Sequence, residues 1–166
     1  MAGFLSIPVL IIMVILQIGV ASQLPLLRGT ADLVLVTLVA WSMQERVKTS
    51  WQWALVGGFL VSYVSALPTF APLWGYLIVT GLVRIINRRI WQTPILVMFL
   101  MTFIGTLTVN AVSIFALRLE GVQLPLLQAL NTIVLPSALL NLILAIPIYA
   151  LISDLANRLY PVELEV

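Results

Sequence analysis

The sequence predicts an all-α polytopic membrane protein in which six transmembrane helices form one compact bundle. Composition is the first observation behind this prediction, because 62% of the 166 residues are hydrophobic and only 8% are charged, against roughly 25% charged residues in soluble domains. Length is the second, because a chain of 166 residues holds six spans of about 20 residues each. Too little chain then remains for a separate soluble domain, so residues 1–166 are expected to form a single integral membrane domain.

The apolar residues fall into six runs separated by short polar links or prolines. The predicted spans are residues 4–22, 31–43, 51–67, 73–87, 93–117 and 131–153. The second run has 13 residues and would reach only about 20 Å as a helix, short of the ~30 Å hydrocarbon core. It must either borrow flanking residues to cross the bilayer or enter it as a re-entrant segment.

Basic residues predict the orientation, because short cytoplasmic loops carry an excess of Lys and Arg. With six spans, one side holds Arg46, Lys48, Arg84, Arg88, Arg89 and Arg158, and the other holds Arg28 and Arg118. This split predicts that both termini are cytoplasmic; if the second run does not cross, only the N-terminus changes side. Aromatic belts are expected at the two interfaces, with Trp41, Trp51, Trp53 and Trp91 on the cytoplasmic side and Trp74 on the other.

The third span carries small residues at every fourth position, namely Ala54, Gly58, Ser62 and Ala66. Small side chains on one helix face let another helix approach closely and gain van der Waals contact. The face therefore predicts a packing surface, either for another helix of this chain, which is favoured, or for a helix of a partner protein.

The fifth span carries a polar stripe formed by Thr102, Thr106, Asn110 and Ser113. Serine and threonine hydroxyls can bond a carbonyl of their own helix, whereas an asparagine amide in lipid is expected to need a partner on another helix. We expect an interhelical hydrogen bond. A face that lines a solute and a contact with a partner protein are the alternatives.

The sixth span contains four residues that perturb an apolar helix: Pro136, Ser137, Asn141 and Pro147. Each proline removes a backbone donor, so we expect kinks at both prolines. Asn141 lies near the middle of the span, where its amide is expected to bond Asn110 or Thr106. The kinked segment is either purely structural, which is favoured, or closes a binding cavity.

The ionisable residues are predicted to lie at the edges of the spans. Asp32 begins the second span, where a carboxylate is stabilised by the helix dipole and can cap the helix or pair with Arg28. Arg84, Arg88 and Arg89 extend the fourth span toward the headgroups, where they either orient the chain or bind anionic lipid. No carboxylate is expected deep in a span, which argues against a proton relay or an ion-coupled carrier.

Patterns typical of enzymes and metal sites are absent from the sequence. The chain has no His and no Cys, which excludes the usual zinc, haem and iron–sulfur sites. It also has no Walker loop, no G-x-S-x-G elbow and no paired acids. We therefore expect no enzymatic activity, no catalytic residue, no metal and no cofactor.

The arrangement of these motifs resembles the rod shape-determining protein MreD family over most of the chain. The resemblance rests on Ala31-Asp-Leu-Val-Leu-Val36, on the glycine-bearing third span, and on Pro136-Ser-Ala-Leu-Leu-Asn141 followed by Ile146-Pro-Ile-Tyr149. The sequence departs from the family pattern at Ala31, where the family often has Pro. It also departs near the end of the third span, where Ser62, Tyr63 and Ser65 stand in a region that often holds an Asp.

The resemblance implies a non-catalytic subunit of the bacterial rod complex, or elongasome, in the inner membrane. Its direct partner would be an MreC-like protein, through which it would support the glycosyltransferase RodA, a class B transpeptidase and MreB filaments. Membrane lipid is the other expected partner, and no nucleic acid is expected. The family's fold is similar to the S-components of energy-coupling-factor vitamin transporters, so a solute-binding membrane subunit is the alternative function.

Cavity chemistry distinguishes these two functions. A vitamin-binding pocket needs several convergent polar or aromatic groups, and the sequence offers only Tyr63, Thr106, Asn110 and Asn141. Because most of these groups can bond one another, the scaffold is favoured.

Overall fold

The structure is a computed structural model that describes residues 3–19, 29–68, 70–87, 93–123 and 125–160. These residues form helices and connecting turns without a β-strand, as the composition predicts. In chain order the helices are α1 (Ser6–Gly19), α2 (Leu33–Ser42), α3 (Ser50–Val64), α4 (Phe70–Asn87), α5 (Pro94–Leu119), α6 (Leu126–Ala129) and α7 (Leu135–Leu159). A π-helical turn, Leu130–Val134, joins α6 to α7 in one continuous helical run.

Three of the described elements are long and apolar enough to cross a membrane: α4, α5 and the run from α6 to α7. Helices α1 and α2 are apolar but shorter, with 14 and 10 residues, and α3 has 15. The chain is therefore a helical membrane protein with three candidate spans in its described part. The predicted number of six is not supported by helix length.

Helix α2 occupies the centre of the fold. All ten of its residues are buried, and α1, α3, α4, α5 and α7 pack against it. A helix that is apolar on every side is compatible with such a position, because it has no polar face that must reach water. Residues 29–32 before it are not helical, so α2 gains no length there and measures about 15 Å at 1.5 Å per residue. It is thus too short to extend through the whole bundle.

One end of the bundle, which we call the basic end, is defined by two hydrogen bonds. Arg46 donates to the carbonyl of Tyr160 at 3.3 Å, and Arg84 donates to the carbonyl of Val47 at 2.7 Å. These bonds bring together the segment between α2 and α3, the end of α4 and the end of α7. Arg84 therefore binds a backbone carbonyl of its own chain, in addition to any contact with lipid headgroups.

The path of the chain alternates with respect to the basic end. Gly3 lies against the side chain of Gln52 near the start of α3, so α1 starts at the basic end. Helix α3 leads away from it, α4 returns, α5 leads away, and α7 returns to Tyr160. The two described ends of the chain therefore lie at the same end of the bundle.

Two of the tryptophans assigned to an aromatic belt are inside the protein instead. Trp41 and Trp53 are fully buried, and their rings stack with centroids 4.1 Å apart and an interplanar angle of 19°. The belt prediction is wrong for this pair, because the rings join α2 to α3 and cannot face headgroups. Trp51 and Trp74 are exposed, and Trp91 lies outside the described residues.

Helix α3 packs closely on α4 through part of its small-residue face. A Cβ atom built on Gly58 would lie only 2.8 Å from the Cα of Leu73, so the two backbones approach each other where Gly58 has no side chain. Ala54 is fully buried, and Ser62 is buried with its hydroxyl donating to the carbonyl of Gly58 at 2.7 Å. This face therefore contacts a helix of the same chain.

Ala66 is not part of that face, and its inclusion in the prediction was wrong. Helix α3 ends at Val64, the backbone at Ser65 is extended, and Ala66 is exposed. The helix ends before the apolar run does, so the four-residue spacing no longer places Ala66 above Ser62.

The two prolines of α7 are accommodated in different ways. Pro136 lies inside the continuous helical run Leu126–Leu159, directly after the π-helical turn, so its missing N–H removes one bond of the helical ladder. Just before it, the N–H of Leu135 bonds the carbonyl of Leu130, five residues back, which widens the helix into the π-helical turn. Pro147 lies inside α7, which continues past it to Leu159.

Candidate functional site

Asp32 lies at the N-terminus of α2, in the interior of the bundle. Its Oδ1 atom accepts the backbone N–H of Leu35 at 2.9 Å and so caps the helix, one of the two roles that the sequence allows. The other predicted partner, Arg28, lies outside the described residues. The carboxylate also faces the positive end of the helix dipole, which is its favourable position.

Tyr76 of α4 binds the same carboxylate. Its hydroxyl lies 3.0 Å from Oδ1 and 2.9 Å from Oδ2 of Asp32 and donates to them. The Tyr76 side chain is only 1% exposed, so its ring packs in the core while its hydroxyl reaches the acid. A hydrogen bond to a charged acceptor is stronger than a neutral one, and this one joins α4 to α2.

Asn141 of α7 bridges three helices with a single amide group. Its Oδ1 accepts the backbone N–H of Asp32 at 2.7 Å, and its Nδ2 donates to Oγ1 of Thr106 in α5 at 2.9 Å. Thr106 in turn donates its hydroxyl to the carbonyl of Thr102 at 2.8 Å. The interhelical bond predicted between Asn141 and Thr106 is thus confirmed, and Asn141 is fully buried.

The segment before α2 lies directly against the start of α7. The N–H of Thr30 bonds the hydroxyl of Ser137 at 3.0 Å. A Cβ on Gly29 would lie 2.5 Å from the Cβ of Pro136 and 2.7 Å from the nitrogen of Ser137, so only glycine fits there. We call Asp32, Tyr76, Thr106, Ser137 and Asn141 together the Asp32 site.

The Asp32 site lies at mid-depth in the bundle. Thr106 is the thirteenth of the 26 residues of α5, counting from Pro94, and Asn141 links it directly to Asp32. A carboxylate therefore lies level with the middle of α5, an apolar helix long enough to cross a membrane. The prediction that no carboxylate lies deep in a span was wrong, because the edge of the short α2 is in the middle of the bundle.

A cavity of about 350 Å³ adjoins the Asp32 site. It lies in the half of the bundle away from the basic end, between the ends of α1 and α3, the start of α4, the second half of α5 and the start of α7. Its walls are mainly aliphatic, and its polar lining comes from the Asp32 site with Gln17, Asn110 and Ser113 among others. The volume falls within the roughly 300–1,000 Å³ of small-molecule pockets.

Two residues predicted for such a pocket behave differently from expectation. Asn110 lines the cavity, but its Nδ2 donates to the carbonyl of Thr106 in its own helix at 2.8 Å. The expectation that this amide needs another helix was wrong, since the carbonyl four residues earlier lies within reach. Tyr63 is 91% exposed on the outside of α3 and does not line the cavity.

The structure thus separates the predicted residues into two groups. Those that meet at the Asp32 site or line the cavity beside it are Asp32, Thr106, Asn110, Ser137 and Asn141, and Pro136 lies next to them against Gly29. Those that lie elsewhere are Ala54, Gly58, Ser62, Ala66, Arg84 and Pro147. Arg88 and Arg89 lie outside the described residues.

Tyr76 is the residue of the site that sequence reasoning missed. The signal for it was a phenol hydroxyl within the apolar α4, since a buried tyrosine hydroxyl needs a partner. No group of three His, Cys, Asp or Glu residues that could hold a metal ion occurs in the described part of the chain.

Comparisons with protein-family models, with curated proteins and with solved structures give no match to this chain. Function is therefore inferred from the residues of the chain and from their geometry.

Proposed function

We propose that this chain is a non-catalytic scaffold subunit of the bacterial rod complex, a member of the MreD family that partners an MreC-like protein in the inner membrane. The observation that supports the proposal is the meeting of two of the motifs that carry the resemblance, Ala31–Val36 with the adjoining Thr30 and Pro136–Asn141. Thr30 and Asp32 donate their backbone N–H groups to Ser137 and Asn141. Polar groups that satisfy one another hold a fold together, which is what a scaffold requires of them.

In the proposed topology the chain crosses the membrane six times, with both termini in the cytoplasm. Support comes from the alternating path of the helices and from the basic end, which the positive-inside rule assigns to the cytoplasm. In the second of these crossings, helix α2 extends only from mid-depth to the basic end. Arg84, Arg88 and Arg89 would bind anionic lipid headgroups. The MreC-like partner would connect the subunit to RodA, a class B transpeptidase and MreB.

Purification from native membranes tests the scaffold proposal. The tagged chain is extracted in mild detergent and the proteins recovered with it are identified, with a tagged unrelated polytopic protein as the control. We expect an MreC-like protein in near-equal amount, and loss of rod shape when the chain is depleted. Absence of an MreC-like protein together with unchanged cell shape would contradict the proposal.

The cavity favours a solute-binding membrane subunit as a second candidate function. Its volume of about 350 Å³ suits a small molecule, and it combines apolar walls with a carboxylate. The same purification tests this candidate, because small molecules released from the purified chain can be identified by mass spectrometry. A cavity that is always empty of solute would argue for the scaffold alone.

A further inference from the structure

We propose that the cavity beside Asp32 binds a small apolar molecule carrying one cationic amine, with the amine held by the Asp32 carboxylate. The inference deepens the second candidate function and rests on it, and it is independent of the MreC-like partner. Three observations support the proposal: the charge of the cavity, the acceptor positions of the Asp32 carboxylate that the described residues leave unused, and the aliphatic walls.

The charge of the cavity favours a cation. Asp32 and Tyr76 are the only ionisable side chains among the described residues that line it. Within the described part of the chain, the partners of the Asp32 carboxylate are an N–H and a phenol, and neither carries a positive charge. The described residues thus give this carboxylate no counter-ion, which is costly among apolar groups. A bound cation lowers that cost, whereas a bound anion would raise it.

Toward the described residues, the carboxylate also has unused acceptor capacity. Its two oxygens offer about four acceptor positions, and among the described residues they receive two donors, the Leu35 N–H and the Tyr76 hydroxyl. An ammonium group brings three N–H donors and no acceptor. It therefore fits a site where acceptor positions remain, without displacing the cap of α2.

The walls define the rest of the ligand. Beyond the Asp32 site, the cavity is bounded mainly by aliphatic side chains, among them Val14, Val61, Val109 and Ile114. These groups offer no hydrogen bonds to a polar body and gain free energy by contact with an apolar one. A compact hydrocarbon body with a single amine matches both the walls and the acid.

Three probes of equal length separate the amine from its competitors: hexylamine, hexanol and hexanoate. Their binding to the purified full chain is measured by calorimetry in detergent, with titration into detergent alone subtracted. We expect hexylamine to bind at least about tenfold more tightly than hexanol, the effect of one close charge pair, and hexanoate to show no binding. Equal affinities for the amine and the alcohol would overturn the ligand class while leaving a solute-binding cavity. Binding of none of the three probes would overturn both.

Two variants locate the amine. Asp32→Asn keeps a good N-cap but removes the charge, so the affinity for hexylamine should fall to that for hexanol. Ser113→Leu fills part of the cavity without removing an interhelical bond, since the Ser113 hydroxyl bonds the carbonyl of Val109 in its own helix; it should weaken both probes. Hexylamine binding that is unchanged in either variant would place the amine elsewhere.

A labelling measurement keeps the test independent of the folding of Asp32→Asn. The chain has no cysteine, so Ser113→Cys introduces one thiol at the cavity wall and leaves Asp32 intact. Hexylamine should slow alkylation of this thiol by N-ethylmaleimide several-fold, and hexanoate should not. An alkylation rate that does not respond to hexylamine would overturn the proposal.

Discussion

Asn110 and Asn141 are both asparagines within apolar helices, yet their amides perform different tasks. Asn141 joins three helices, whereas the Nδ2 of Asn110 bonds a carbonyl of its own helix. The difference lies in what each amide faces. Asn141 faces the N-terminus of α2, where the first backbone N–H groups have no partner within the helix. An acceptor at that point is needed, and the oxygen of Asn141 supplies it.

Replacing Asn141 with Leu should therefore destabilise the protein more than replacing Asn110 with Leu. Asn141→Leu removes two bonds between elements, and at roughly 0.6–1.7 kcal/mol each the loss is about 1–3 kcal/mol. Both variants should still insert, because each adds apolar surface. Thermal unfolding of the two purified variants in detergent measures the difference, and equal stabilities would show that Asn141 has no special task. On the scaffold proposal, less of the MreC-like partner should also be recovered with the Asn141→Leu variant when it is purified from native membranes.

Tyr76→Phe removes the only side-chain donor that the described residues give to the Asp32 carboxylate. Hydrogen bonds to charged groups contribute roughly 1.5–3 kcal/mol, so we expect a loss of stability of that order in thermal unfolding. Tyr63→Phe is the matched control, since the Tyr63 side chain is 91% exposed and should tolerate the change. If the two variants unfold alike, the bond between Tyr76 and Asp32 does not stabilise the fold.

At the scale of helices, hydropathy predicts where the longer elements lie but not which elements surround them. The predicted spans 73–87 and 93–117 correspond closely to α4 and α5, Phe70–Asn87 and Pro94–Leu119. The short α2 has an apolar sequence that any membrane helix could have, and its central position depends on five neighbours. The depth of Asp32 follows from that position, so the sequence alone could not indicate it. The pairing of Tyr76 with Asp32 is likewise a tertiary contact without a local pattern.

The contact of α3 with α4 predicts opposite effects for two glycine substitutions. In Gly58→Ala the new Cβ would lie 2.8 Å from the Leu73 Cα, so the backbones must separate, at a cost of about 1–3 kcal/mol. In Gly81→Ala the nearest atom is the ring tip of the half-exposed Trp51 at 3.3 Å, which can move. Alanine is also the better helix former by up to about 1 kcal/mol. Unfolding temperatures of the two variants should therefore move in opposite directions, and a tolerated Gly58→Ala would contradict the close packing.

For the whole molecule, the two ends of the bundle differ in both charge and content. The basic end is closed by hydrogen bonds from Arg46 and Arg84 to backbone carbonyls and by the stacked Trp41 and Trp53. The opposite half contains the cavity, which the Asp32 carboxylate borders at mid-depth. If the basic end is cytoplasmic, as the positive-inside rule indicates, the cavity lies in the periplasmic half of the membrane. A scaffold that meets an MreC-like protein, or a subunit that takes up a solute, would then present the half with the cavity to the periplasm.

This orientation can be measured with single cysteines, because the natural chain has none. Glu45→Cys and Phe4→Cys place a thiol on exposed residues at or near the basic end, and Val122→Cys places one after α5 at the opposite end. A membrane-impermeant maleimide applied to intact spheroplasts should label Val122→Cys alone, and labelling of the other two should require permeabilisation. The thiol at position 4 decides between the alternatives, since it lies on the same side as position 45 only if the chain crosses six times. Labelling of Phe4→Cys from outside, with Glu45→Cys protected, would leave five crossings and would contradict the common end that Gly3 and Tyr160 share in the structure.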